Sequence, residues 1–141
     1  MKTKILLFVT CFSLVFFNSC SKKEGESEFK NQITLGTGLN YSNYFELTGV
    51  SSDFYLVNGS VIIYFKVESK QDIAGNAIML EFRNLQNEVI HTISRPSTQD
   101  YGHMLLSSFE WTQSAGTYLV KAYIVKEDST DFVAETTITI H

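Results

Sequence analysis

Cysteine is scarce in this 141-residue chain: there are two, Cys11 and Cys20, and both lie near the start. From Ser21 onward there is no thiol, so that part of the chain can form no disulfide and no thiolate metal site. Its stability must come from packing, and about 110 residues suffice for a core. Basic residues are also few, at 11 Lys and Arg against 15 Asp and Glu. No basic patch is visible, which excludes a nucleic-acid partner. The longest apolar run, residues 5–17, falls short of the roughly 20 residues that cross a bilayer as a helix and stops at Asn18. No stretch holds a helical period for three turns.

The beginning of the chain is its most telling part. Lys2 and Lys4 precede the apolar run, and Phe17-Asn18-Ser19-Cys20 closes it. A charged start, an apolar centre and a small residue make up the layout of a secretory signal. The segment resembles a bacterial lipobox, in the looser form of Bacteroidota-type lipoproteins, with Phe17 and Asn18 in place of the usual aliphatic and small residues. The resemblance implies that residues 1–19 are a signal peptide and that Cys20 is lipidated as the new N-terminus. Only a cysteine thiolate is nucleophilic enough to accept the lipid. The implied partner is therefore the membrane, reached through the lipid on Cys20, and the implied location is the outer membrane of a cell envelope, on its periplasmic or surface face. With Lys2 and Lys4 removed, 9 basic residues face 15 acidic ones, a net charge of −6. An acidic surface keeps an exported domain soluble.

Residues 20–31 form the lipidated cysteine and a charged, small-residue stretch with little to bury, which reads as a flexible tether. Fully extended, it reaches on the order of 35 Å, at ~3.3–3.6 Å per residue. Residues 32–141 then alternate as a sheet protein does. Val61, Ile63, Phe65 and Val67 share one strand face; so do Ile78, Leu80 and Phe82, then Tyr118, Val120, Ala122 and Ile124, and finally Phe132, Ala134, Ile138 and Ile140. Turn chemistry separates them at Asn58-Gly59, Gly75-Asn76, 84–88, 96–102 and 127–131. The expected fold is all-β, an antiparallel sandwich of seven or eight strands. Ser114-Ala115-Gly116-Thr117-Tyr118-Leu119-Val120 resembles the start of strand F in the immunoglobulin superfamily, with Val120 where a cysteine is usual. The resemblance implies an immunoglobulin-like sandwich in which the Tyr118 hydroxyl bonds back to the preceding turn.

Motifs of catalysis and metal binding are missing. His91, His103 and His141 have no ligand partner at metal spacing; His91 reads as a surface strand position and His141 as a free end. There is no Gly-x-Ser-x-Gly elbow, and Glu81, Glu88 and Glu110 read as outward strand positions rather than an acid–base pair. Gly36 and Gly38 are not followed by a helix, so they do not cradle phosphate. Residues 127–131 lack the spacing of a calcium loop and read as a polar hairpin turn. No enzyme, cofactor or metal is expected.

Two binding or modification signals remain. Tyr41 and Tyr44, in a loop-like stretch, are candidates to stack a ligand such as a sugar ring. Phe45, Phe54 and Tyr55 add to the aromatic content nearby, whereas Trp111 shares a strand face with Phe109 and reads as core. Asp128-Ser129-Thr130 resembles the O-glycosylation site of Bacteroidota-type exported proteins, with Ser129 as the acceptor. The expected role is a non-catalytic, lipid-anchored binding or structural module whose partner is an envelope protein or a glycan. The alternative is a carbohydrate-binding accessory lipoprotein of a glycan-uptake system.

Overall fold

The computed structural model describes residues 29–43, 45–97 and 102–141. The signal peptide, Cys20, most of the tether and Tyr44 lie outside the described residues. Nine strands follow in order: β1 (Gln32–Leu39), β2 (Leu47–Val50), β3 (Asp53–Phe54), β4 (Val61–Glu68), β5 (Ala77–Arg83), β6 (Val89–Pro96), β7 (Met104–Trp111), β8 (Gly116–Val125) and β9 (Thr130–Ile140). They form two sheets, ordered β2-β1-β4-β7 and β3-β9-β8-β5-β6. In the first, β1, β4 and β7 stand as strands A, B and E do in an immunoglobulin domain; in the second, β5, β8 and β9 stand as C, F and G. The fold is an immunoglobulin-like β-sandwich.

Two short strands raise the count above the seven or eight expected. After β1 the chain doubles back as β2, crosses between sheets at residues 50–52, and rises again as β3. Because β3 rises beside β9, the two pair in parallel, Asp53 with Thr139 and Phe54 with Ile140; every other strand pair is antiparallel. Two backbone bonds fasten the crossing, from Ser51 N–H to the Leu35 carbonyl at 3.1 Å and from Thr139 N–H to the Ser52 carbonyl at 2.7 Å. Gly49 makes it possible, since its φ is +56° and a Cβ there would meet Thr37 Oγ1 at 2.1 Å. Gly36 serves the same packing: a Cβ would fall 2.7 Å from the Thr48 carbonyl oxygen.

The core lies where the alternation placed it. Ile63, Phe65 and Val67 of β4 face Leu80 and Phe82 of β5 and Val120, Ala122 and Ile124 of β8, all fully buried. An aromatic column joins the sheets: Phe82 packs on Phe109 and on Trp111, each at 5.1 Å between centroids, and Trp111 on Tyr118 at 4.9 Å. These tilted contacts are in the range that aromatic pairs favour. His91 covers the same column, 5.8 Å from both Phe82 and Trp111, so it helps close the core instead of standing on open surface.

Phe132 departs from the expected inward series. The β8–β9 register shifts between Ala122 and Tyr123, pairing Ala122 with Ala134 but Tyr123 with Phe132. Val133 is thus an extra residue, a bulge that turns both Val133 and Ala134 inward and puts Phe132 on the outer face. There Phe132 is 51% exposed and meets the Tyr123 ring edge-on at 5.8 Å.

The corner before β8 forms as the Gly-x-Tyr pattern implies. The Tyr118 hydroxyl donates to the Ser114 carbonyl at 2.8 Å, and Trp111 Nε1 reaches the same oxygen at 3.4 Å. Gly116 has a φ of +152°, and a Cβ there would press on the Tyr118 hydroxyl at 3.2 Å. Only glycine meets both demands without strain.

Candidate functional site

Where β3 runs beside β9, Phe54 points inward and is buried, which turns Asp53 and Tyr55 outward on a common side. The pairing extends one step past both strands. His141 N–H donates to the Phe54 carbonyl at 2.8 Å, and Leu56 N–H donates to the His141 carbonyl at 2.9 Å. His141 is therefore a fastened residue, not the free end its position suggested. Its Nε2 lies 3.1 Å from Asp53 Oδ1, and its ring stacks on Tyr55 at 4.7 Å with a 19° tilt. Tyr55 itself is 65% exposed.

The second Asp53 oxygen is also engaged: Ser52 Oγ donates to Oδ2 at 3.1 Å. Ser51 Oγ accepts from the Asp53 N–H at 2.9 Å, which sets the turn that presents the carboxylate. The hydrogen bond from His141, followed by that from Ser52, holds the Asp53 carboxyl below its ordinary 3.8, against a smaller opposing effect of desolvation. A carboxyl whose pKa is depressed in the fold adds stability above its unfolded pKa, and loses it as pH falls through the folded value. The Asp53 carboxylate is thus ionised at neutral pH, and its contribution fades only as acid protonates it. By NMR titration, the Asp53 midpoint should lie below 3.8 and return upward in His141→Ala; an unchanged midpoint would show that His141 does not hold the carboxylate.

Asp53 lines a cleft of about 450 Å³ between the two sheets, together with Ile33, Thr34, Leu35, Val50, Ser51, Ser52, Thr136 and Thr137. The cleft exists because β2 pairs with β1 only from Gly36 onward, and β3 with β9 only at Thr139 and Ile140. The lower parts of β1 and β9 are left unpaired on this side. Five of the lining residues carry hydroxyls, and none is basic. Ser52, Asp53 and His141 do not form a catalytic relay. In that relay the imidazole lies between the hydroxyl and the carboxylate; here the carboxylate lies between the other two.

Tyr41 is 74% exposed, in the turn after β1, as expected of a residue free to meet a ligand. Its proposed companion Tyr44 is outside the described residues. Ser129 is exposed in the β8–β9 turn, where its carbonyl accepts the Lys126 N–H at 2.9 Å. Trp111 is fully buried and Phe54 nearly so, which removes both from any surface role. His103 Nδ1 sits 3.0 Å from the Ser69 carbonyl, and its ring stacks on Phe29 at 5.0 Å. No pattern in the sequence marks the corner of Asp53, Tyr55 and His141. Asp53 and Tyr55 carry the two-residue spacing of an outward strand face, but His141 lies 88 residues beyond Asp53 and no local pattern links them. Comparison with protein-family models and with curated proteins returned no match.

Proposed function

We propose that this chain is a non-catalytic, lipid-anchored module of a bacterial outer envelope that holds a partner at the end of its sandwich remote from the membrane. The supporting observation is the placement of exposed apolar side chains relative to the point where the chain enters the fold. β1 starts at Gln32, opposite Glu68 at the far end of β4, and runs toward Tyr64. The turn after β1, the start of β4 and the end of β7 share the opposite end, since Val61 pairs with Trp111. The end of β9 is there too, because Gly116, just after β7, pairs with Ile140. That remote end carries Tyr41, Tyr55 and Val57, exposed by 74%, 65% and 69%. The chain enters the domain at Gln32, so these side chains stand at the end of the sandwich opposite the point where the tether joins it. Ser129, in a turn at the near end, is the residue that a glycosyl transferase would modify.

Two or more acyl chains hold a protein stably, at about 0.8 kcal/mol for each buried methylene, whereas one binds only marginally. Cys20→Ala removes every chain at once. The variant should move from the membrane pellet to the soluble fraction and take up no labelled fatty acid. A Cys20→Ala protein that still sediments with membranes would overturn the anchor. The carbohydrate-binding alternative gains support from the exposed Tyr55 ring beside a hydroxyl-lined cleft.

A further inference from the structure

Four features of the Asp53 corner converge on one class of ligand. Tyr55 offers a large exposed aromatic face, and its ring is already held. His141 stacks against it, is fixed by two backbone hydrogen bonds, and is steadied by Asp53 Oδ1. An aromatic side chain ordered before binding loses little freedom when a ligand lands on it. Asp53 and Tyr55 are two residues apart on an extended strand, about 7 Å at ~3.3–3.4 Å per residue, a span on the scale of one sugar unit. The cleft that Asp53 lines also carries the hydroxyl residues Ser51, Ser52, Thr34, Thr136 and Thr137.

A pyranose has a face of C–H bonds and a rim of hydroxyls, so it needs an aromatic surface and a row of small donors and acceptors. Asp53 has an acceptor lone pair to spare on each oxygen beyond those used by His141 and Ser52. The charge of the site narrows the ligand further. Asp53 is ionised at neutral pH, its carboxyl being held below the ordinary value, and no Lys or Arg lines the cleft. An anionic glycan would be repelled by that carboxylate with no Lys or Arg in the cleft to offset it, whereas a neutral one would not.

We infer that the Tyr55 face and the Asp53 cleft form a binding site for a neutral oligosaccharide, one sugar stacking on Tyr55 and the next reaching into the cleft. This rests on the reading of the chain as a binding module and is independent of the lipid anchor. The test is affinity electrophoresis of the full chain in detergent through gels containing dextran, laminarin, xylan or mannan, with polygalacturonate as the anionic comparison and reduced, carboxymethylated casein as an unfolded polypeptide. At least one neutral polysaccharide should retard the protein, and polygalacturonate should not. Tyr55→Ala should weaken that binding about tenfold or more with an unchanged melting temperature, while Tyr55→Trp should keep it. Asp53→Asn should weaken it too, which gives a second reading if Tyr55→Ala folds poorly. No retardation by any of the four neutral gels, binding indifferent to Tyr55→Ala and Asp53→Asn, or retention by casein in place of the polysaccharides would overturn the site. Release of the Cys20→Ala protein is read separately, so failure of the anchor and failure of this site are distinguishable.

Discussion

Trp111→Ala is expected to destabilise the domain by about 3–5 kcal/mol, the usual cost of deleting a buried indole. Domains of this size are stable by about 5–15 kcal/mol in all, so the variant should unfold at a much lower denaturant concentration and can be partly unfolded at 37 °C. The effect is large because Trp111 has no exposure and lies between Phe82, Tyr118 and His91. Removing it leaves a void bordered by rigid rings that cannot collapse to fill it. Urea unfolding followed by circular dichroism measures the loss. A change under about 1 kcal/mol, the scale of a surface substitution, would mean that Trp111 is not in the core.

Tyr118 should separate a hydrogen bond from a packing contribution at one position. Tyr118→Phe keeps the ring and removes only the hydroxyl that donates to the Ser114 carbonyl, at a cost of about 0.5–1.5 kcal/mol. The loss should fall in the lower part of that range, because Trp111 Nε1 still reaches the same oxygen. Tyr118→Ala also removes the ring packed on Trp111, and a large-to-small core change of this kind costs about 3–5 kcal/mol. Equal and negligible losses in the two variants would mean that the corner does not hold the turn to β8.

Much of this fold is legible in the chain because β4, β5 and β8 each keep a strict two-residue period from end to end. Every inward position of that series is apolar, even though Ile62, Met79 and Leu119 put apolar side chains on the outer positions as well, and Gly116-Thr117-Tyr118 marks the corner through the combined needs of backbone and ring. The parts that were not legible have physical reasons. β2 and β3 are too short to show a period; what builds them is the close approach of β2 to β1 at Gly36 and Gly49, a matter of space in three dimensions. Phe132 fits the alternation of its neighbours, but the bulge at Val133 changes its side, and a bulge is set by pairing with the partner strand. Tyr41 was legible as an exposed residue from its loop. The Asp53 corner was not, because it joins β3 to the residue just past β9, and segments 88 residues apart meet only once these two strands pair at the edge of their sheet.

Whether the protein is held to a membrane through Cys20 is decided most directly by mass spectrometry of the N-terminal peptide of the mature protein, extracted from envelopes. The expected peptide begins at Cys20 and carries a diacylglyceryl thioether on its sulfur and a fatty acyl chain on its amine. A mature chain that begins elsewhere, or a Cys20 with a free thiol, would contradict the lipid anchor.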